Sequence, residues 1–227
     1  MNAPPSLALQ EEILLLALRD REGTFAPCSH LPYALAGAML AELLLAGRIR
    51  VDEADRKRRV QVMDPKPLGE PLLDEALDRI ATARRPATLS AWVDRLTRFS
   101  RLKHRVAEGL CRRGVLRLSQ KEILLLFKKR IYPEVDSRPE RELRDRLRGV
   151  VAAEVRDVGE RTVTLLSLLK SAQLLELVMH RKELKPRRAR VESLVAGEPV
   201  GKAVAEAVQA AEAATAAACG VAVTVAC

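Results

Sequence analysis

The segment from Pro32 to Ala46 most restricts the possible fold, because it is apolar on nearly every side. Pro32 fits the first turn of an α-helix, and Gly47 is the kind of residue at which a helix ends. A helix without a polar face has to be buried on most sides. We therefore expect a central helix, running to about Ala46, with the other elements packed around it.

Other segments repeat apolar residues at helical spacing and stop at Pro, Gly or charged residues. These segments are residues 7–19, 71–82, 88–99, 101–113, 138–157, 160–180, 186–196 and 200–217. With 48% hydrophobic residues, the chain of 227 residues has enough apolar material to surround a central helix. We expect one domain over residues 1–227, with a short N-terminal tail at 1–6 and an apolar C-terminal tail at about 218–227.

Two other segments change to the alternating period of β-strands. Residues 48–51 and 59–62 alternate apolar side chains with Arg and Gln, which predicts a first hairpin. A second hairpin is expected to pair 115–118 with about 122–127 around a polar turn at 119–121. The predicted fold class is therefore mainly α, a single helical domain with two short β-hairpins.

The charge balance favours polyanionic partners, since 39 Lys and Arg face 30 Asp and Glu and the net charge is +9. Aromatic residues make up only 3%, so stacking platforms for single-stranded nucleic acid are scarce. No stretch has the roughly 20 apolar residues of a membrane-spanning helix, and the N-terminus does not have the pattern of a signal peptide. We expect a cytoplasmic chain whose membrane contact is peripheral.

The sequence lacks the common motifs of catalytic and phosphate-cradling loops. Carboxylates such as Glu140 and Glu142 lie beside Arg at helical spacing, which is typical of solvated ion pairs rather than of acid-base catalysts. The four cysteines have no CxxC spacing, and the three histidines are scattered. We therefore expect free thiols, no metal, no cofactor and no enzymatic activity.

Three groups of basic residues stand out from the overall charge. They are residues 56–59, 128–130 and 95–105. The last group crosses a junction between two helices, where free backbone amides and Arg side chains favour binding of phosphate. We expect an anion site at Arg101, Lys103 and Arg105, and these cations disfavour protonation of His104.

Several motifs, in their order and spacing from about residue 9 to 210, resemble the Golgi phosphoprotein 3 family. They are 14–23 (LLLALRDREG), 35–43 (LAGAMLAEL), 47–49 (GRI), 71–77 (PLLDEAL), the helix around Trp92, 106–110 (VAEGL) and 114–116 (GVL). The composition, rich in Ala, Arg and Leu, is similar to the prokaryotic branch of that family.

The resemblance implies a mostly helical domain that binds phosphatidylinositol 4-phosphate. In eukaryotes this occurs on the cytosolic face of Golgi membranes, and members there also hold the cytosolic tails of glycosyltransferases. It also implies a homo-oligomer that forms through a hairpin, here at 115–127. Members of the family are adaptors and not enzymes.

The resemblance also implies where the headgroup binds. The family uses a tryptophan in the loop after the first helix, an arginine on the next helix, and two basic residues on a later helix. In this chain the loop offers Phe25, Pro27 and Cys28, and the arginine position is Ala36. Lys103 matches one of the two later basic positions.

The other basic position falls near Ser100, with Arg101 beside it. We interpret the chain as a peripheral membrane adaptor that binds an anionic, phosphorylated lipid headgroup. The expected headgroup-binding residues are Arg101, Lys103, Arg105 and Phe25.

An alternative is a winged-helix-like DNA-binding protein, because two helices followed by a hairpin with a basic tip also fit that fold. Its recognition helix would be 32–47, which has no Arg, Lys, Asn or Gln to read base edges. Nucleic acid is therefore a disfavoured partner. A scaffold that binds protein tails is a third hypothesis, and it depends only on the resemblance.

Overall fold

The computed structural model describes residues 7–19, 22–26, 30–123, 127–152, 158–196 and 202–218. Its fold is mainly α, as predicted. The helices are α1 (Leu9–Ala17), α2 (Leu31–Leu45), α3 (Pro71–Ala81), α4 (Leu89–Thr97), α5 (Leu102–Arg112), α6 (Arg138–Val151), α7 (Glu160–Ser171), α8 (Leu175–Val178), α9 (Arg181–Leu184), α10 (Arg188–Ala196) and α11 (Lys202–Ala218). The predicted N-terminal tail at 1–6 lies outside the described residues, as do residues 219–227 of the C-terminal tail predicted at about 218–227.

Helix α2 is the centre of the core, which confirms the first prediction. Its residues Leu31 and Ala34 to Ala41 are buried, and it packs against α1, α4, α7 and α11. The contact with α11 is close, because a Cβ at Gly37 would lie 2.6 Å from Cβ of Ala211. Only a residue without a side chain fits there, so this glycine sets the distance between the two helices.

Short antiparallel strand pairs connect the helices. They are β1 (Leu18–Arg19) with β2 (Thr24–Phe25), β3 (Ile49–Val51) with β4 (Val60–Val62), and β5 (Ser119–Ile123) with β6 (Phe127–Ile131). The β3–β4 pair confirms the first predicted hairpin. The β1–β2 pair was not predicted, because strands of two residues leave no periodic signal.

The second hairpin forms further along the chain than predicted. The expected turn at 119–121 is wrong, because these residues belong to β5, where Ser119 pairs with Ile131. Ser and Gln tolerate a strand as well as a turn, and no Gly, Asn or Asp forces the chain to reverse there. The connection between the strands, 124–126, lies outside the described residues.

One long predicted helix, 160–180, is interrupted. Helix α7 ends at Ser171, and Gln173 has a left-handed backbone with φ of +58°. The amide of Leu174 then bonds back to the carbonyl of Leu169 at 2.8 Å, which closes the helix end. Glycine usually marks such a helix end. Because the left-handed residue here is a glutamine, the sequence did not indicate that the helix ends there.

The core also contains carboxylates, which we call the α1 carboxylate network. Its members are Glu11, Glu12 and Glu42 with Arg113, Arg146 and Arg161. Glu11 and Glu12 are 2% and 5% exposed. Arg113 Nε lies 3.1 Å from Glu11, and guanidinium nitrogens of Arg146 and Arg161 lie 2.7 Å from Glu12 and Glu42. Three arginines from three other helix regions thus fasten α1 in place.

The same carboxylates accept the backbone amides that begin α1. Glu11 accepts from Ala8 at 3.0 Å and Glu42 accepts from Leu9 at 2.8 Å, while Arg161 donates to the carbonyl of Leu7 at 2.6 Å. Burial raises the pKa of the Glu11 and Glu12 carboxyls, and the arginines oppose that rise.

The prediction of solvated pairs on α6 is therefore wrong in part. Glu140 is only 5% exposed, and Arg144 lies 2.5 Å from it. Arg146 points into the network and bonds to Glu12. Spacing along a helix indicates which residues can pair, but it does not indicate which of them the rest of the fold covers.

Candidate functional site

Phe25 is positioned by the turn between β1 and β2. Leu18 pairs with Phe25 across this turn, and Gly23 has φ of +59°. The carbonyl of Gly23 accepts the amide of Tyr132 at 2.6 Å, and a Cβ on Gly23 would lie 2.3 Å from the nitrogen of Pro133. This close approach requires glycine and joins the Phe25 turn to the chain that follows β6.

The Phe25 ring lies in a small aromatic cluster. Its centroid is 5.2 Å from the ring of His104 and 5.6 Å from the ring of Tyr132. His104 Nδ1 and the Tyr132 hydroxyl are hydrogen-bonded at 2.9 Å. Lys103 Nζ lies 5.2 Å from the Phe25 centroid, within the range of a cation–π interaction. The cluster therefore fixes where the Lys103 ammonium is held.

Burial changes the titration of both polar groups in the cluster. Burial, with the charges of Arg101 and Lys103 second, lowers the pKa of His104. The prediction that neighbouring cations disfavour its protonation is confirmed, although burial is the larger cause. Burial raises the pKa of Tyr132 to about 12. Both side chains are neutral at pH 7, so the positive charge here belongs to Arg101 and Lys103.

Arg101 begins α5 in a strained conformation. Its φ of +56° lies in the left-handed region, and its carbonyl accepts the amides of His104 and Arg105 at 2.9 and 3.0 Å. Its guanidinium is half exposed and lies 3.3 Å from Glu108. Arg130 shares that carboxylate at 3.2 Å. One carboxylate between two arginines leaves an excess of positive charge, and exposed pairs of this kind hold weakly.

Arg105 is engaged differently. Its Nη2 lies 2.5 Å from Oε2 of Glu75 on α3, and its guanidinium lies 5.9 Å from the centroid of Phe99. Arg79 binds the same carboxylate at 2.8 Å. The structure thus brings Phe25, Lys103 and Arg101 to one part of α5 and joins Arg105 to α3. We call Phe25, Arg101, Lys103, His104 and Tyr132 the Phe25–Lys103 surface.

One member of this surface, Tyr132, could not be assigned from the sequence. Tyr132 reaches His104 across 28 residues of sequence, and no periodic pattern predicts such a contact. Its only signal is that aromatic residues are rare in this chain. Pro27 and Cys28 lie outside the described residues. Ala36 is fully buried on α2.

Several other residues singled out from the sequence have structural roles. At the tip of the first hairpin, Arg58 binds Glu206 on α11 at 2.5 Å and Arg59 pairs with Asp55. Trp92 is 3% exposed and belongs to the core, as expected. Cys111 is a half-buried free thiol whose pKa is raised by burial. Within the described ranges, no three His, Cys, Asp or Glu side chains are grouped to hold a metal ion.

The predicted recognition helix of the DNA-binding alternative is buried. Ala34, Ala38 and Ala41 of α2 are at most 1% exposed, so this helix presents no face to a DNA groove. In the part of the chain that the structure describes, no helix is long and apolar enough to span a bilayer.

Comparison with known proteins shows the family of this chain. A sequence profile of the Golgi phosphoprotein 3 (GPP34) family matches residues 9–211. Vacuolar protein sorting-associated protein 74 of Eremothecium gossypii is 34% identical over 166 residues, which are 65% of this chain and 50% of that protein. The Schizosaccharomyces pombe protein of the same name is 29% identical over 173 residues, 68% and 51% of the two chains. The chain thus spans about half the length of these relatives.

Proposed function

We propose, because the chain belongs to the Golgi phosphoprotein 3 (GPP34) family, that it is a peripheral membrane adaptor that binds phosphatidylinositol 4-phosphate. The observation that supports this proposal is the placement of the exposed Lys103 ammonium against the Phe25 ring, with the Arg101 guanidinium at the start of the same helix. No catalytic step is part of the proposal.

The chemistry of a phosphomonoester fits this surface. The headgroup phosphate carries up to two negative charges and offers three acceptor oxygens. Arg101 supplies a planar fork of donors and Lys103 supplies a point charge. Arg101 is the N-cap residue of α5 and Lys103 lies in its first turn, where the partial positive charge of the helix end adds to theirs. Phe25 stands in the loop where the family has a tryptophan, and it holds the ammonium in place.

Arg105 has a supporting role in this proposal. Because its guanidinium is bonded to Glu75, we assign it to holding α5 against α3 and to the positive field around the headgroup. A charge that is already paired contributes less to a ligand than an exposed charge does.

Vesicle co-sedimentation tests the headgroup site. Wild type should bind vesicles that contain phosphatidylinositol 4-phosphate more tightly than phosphatidylserine vesicles of equal charge. Two membrane-facing cations contribute about 2 kcal/mol, so the double variant Arg101→Glu with Lys103→Glu should bind about thirtyfold more weakly or worse. If wild type binds both kinds of vesicle equally, headgroup recognition is wrong.

The matched control is Arg84→Glu with Arg85→Glu, which changes the net charge equally at two exposed residues between α3 and α4. This control should bind phosphatidylinositol 4-phosphate vesicles like wild type. An equal loss in both double variants would mean that total charge, and not the Phe25–Lys103 surface, causes binding.

We also propose that the adaptor works on the cytosolic face of a membrane, that of the Golgi in a eukaryotic cell, and that it self-associates through the β5–β6 hairpin. In favour of self-association, this hairpin is a sheet of only two strands within the described residues, so each strand keeps an edge to which another copy can add. Sedimentation equilibrium should give a mass that rises with concentration. A constant monomer mass would contradict this part of the proposal.

A further inference from the structure

A second basic feature lies in the C-terminal half, on elements distinct from the Phe25–Lys103 surface. The break after α7, the short helices α8 and α9, and the start of α10 together form an open cleft of about 920 Å³. A concave feature of this size is in the range of sites that enclose a ligand segment. The left-handed residue Gln173 lies on its wall and directs α8 away from α7.

The cleft is strongly basic. Five cations line it, with Glu176 and Glu192 as the lining carboxylates. The five are Lys170, Arg181, Lys182, Lys185 and Arg188. Arg181 lies 3.4 Å from Glu176, and both side chains are well exposed, so this pair is weak. The other four cations make no ion pair with any residue that the structure describes. They are therefore available to an external anion.

The cleft also has apolar walls. Leu184 and Val191 are 8% and 4% exposed and Leu175 is half-buried, and all three line the same cavity as the cations. A ligand that fits must therefore combine carboxylates or phosphates with apolar side chains. A flat basic surface is enough to bind an anion by charge. The apolar wall of this cleft also favours a ligand that buries hydrocarbon against it, because burial of apolar surface is favourable.

We infer that this cleft binds an acidic peptide segment of a partner protein that carries leucine-like side chains. Its Asp and Glu residues pair with Lys182, Lys185 and Arg188, and its apolar side chains pack on Leu184 and Val191. A bilayer surface does not enter a concave cleft. Nucleic acid fits less well, because no Phe, Tyr or Trp side chain lines the cleft for stacking of bases. This inference is independent of the lipid proposal.

Fluorescence anisotropy with the full chain tests the inference. The probe is a fluorescein-labelled peptide of alternating Glu and Leu pairs, and a second probe has Ser at every Leu position. Wild type should bind the first probe more tightly than the second. Lys182→Glu with Lys185→Glu should weaken binding of the first probe about tenfold, as charge reversal at a contact does. Both lysines are exposed, and circular dichroism should show unchanged helix content.

Two controls separate the cleft from general charge. Arg84→Glu with Arg85→Glu should leave peptide binding unchanged, and Lys182→Glu with Lys185→Glu should leave binding to phosphatidylinositol 4-phosphate vesicles unchanged. The inference is overturned if wild type does not bind the peptide, if both double variants lose peptide affinity equally, or if a single-stranded oligonucleotide of equal charge binds more tightly than the peptide.

Discussion

The α1 carboxylate network and the Phe25–Lys103 surface both contain arginine, and they use it in opposite ways. In the network, Arg161 meets the mostly buried carboxylate of Glu42 at 2.7 Å and closes the start of α1. At the surface, Arg101 is half exposed, has a strained backbone, and shares Glu108 with Arg130. The first arginine stabilises the fold, whereas the second is held at a cost to it.

This difference shows that a net charge of +9 does not by itself locate a binding site. An arginine that faces a buried carboxylate has its charge neutralised within the fold. The cations available to a ligand are those that pair only with an exposed carboxylate and those that have no carboxylate nearby. Loss of a cation should therefore lower stability in one region and lower binding in the other. Four experiments test the two regions, and two of them remove a cation.

The largest effect is expected from Arg161→Ala. It leaves the Glu42 carboxylate and the Leu7 carbonyl without their donor, and breaking such a partly buried pair costs about 3 kcal/mol of unfolding free energy. Urea unfolding measures the loss. The control Arg148→Ala, at an exposed position on α6, should change stability by no more than about 0.5 kcal/mol. Similar losses of unfolding free energy in Arg161→Ala and Arg148→Ala would contradict a structural role for the arginines of the α1 carboxylate network.

Gly23→Ala should separate the Phe25 turn from the chain after β6. The left-handed backbone and the contact with Pro133 together make the change cost about 2 kcal/mol or more. Gly47 is the matched control, because its φ is +65° and nothing lies within 4 Å of an added Cβ. Gly47→Ala should cost only about 1 kcal/mol and leave vesicle binding intact, whereas Gly23→Ala should weaken it.

Arg101→Gly gives the sharpest contrast with Arg161→Ala. Glycine relieves the left-handed strain, so the free energy of unfolding should rise by about 1 kcal/mol, while binding to phosphatidylinositol 4-phosphate vesicles should fall several-fold. Gln173→Gly relieves similar strain at φ of +58° and should stabilise the chain without a change in vesicle binding. If Arg101→Gly destabilises the chain, Arg101 belongs with the structural arginines.

The smallest effect concerns pH. Burial raises the pKa of Glu12 above 4.5 in the folded chain, so the folded state keeps this proton at pH values where the unfolded chain has lost it. The resulting stability is complete below pH 4.5 and is lost as the pH rises through the folded pKa. As the pH is raised above 4.5, urea unfolding should show a larger loss of unfolding free energy for wild type than for Glu12→Gln. If the free energy of unfolding falls equally with pH in both proteins, the raised pKa of Glu12 is contradicted.

Much of the helical fold can be predicted from the sequence because its boundaries are local. Pro32, Gly47 and Pro71 mark helix ends that the structure confirms. What could not be predicted depends on contacts between distant residues. The β5–β6 register is one example, and the contact of Tyr132 with His104 is another.

The candidate surface was predictable only in part. A basic cluster and the family resemblance indicate Lys103 and Phe25, but neither shows that Arg105 turns to Glu75 while Lys103 stays exposed. Residues two apart on a helix face different neighbours, and those neighbours come from other parts of the chain.

The close contact between α2 and α11 has a consequence for synthesis. The ribosome makes residues 31–45 first, and residues 202–218, the most extensive packing partner of α2, come more than 150 residues later. While the intervening residues are made, the apolar helix α2 is without that cover. Assembly of the core is therefore a late event, and the nascent chain exposes a segment that chaperones recognise and that aggregates if they are lacking.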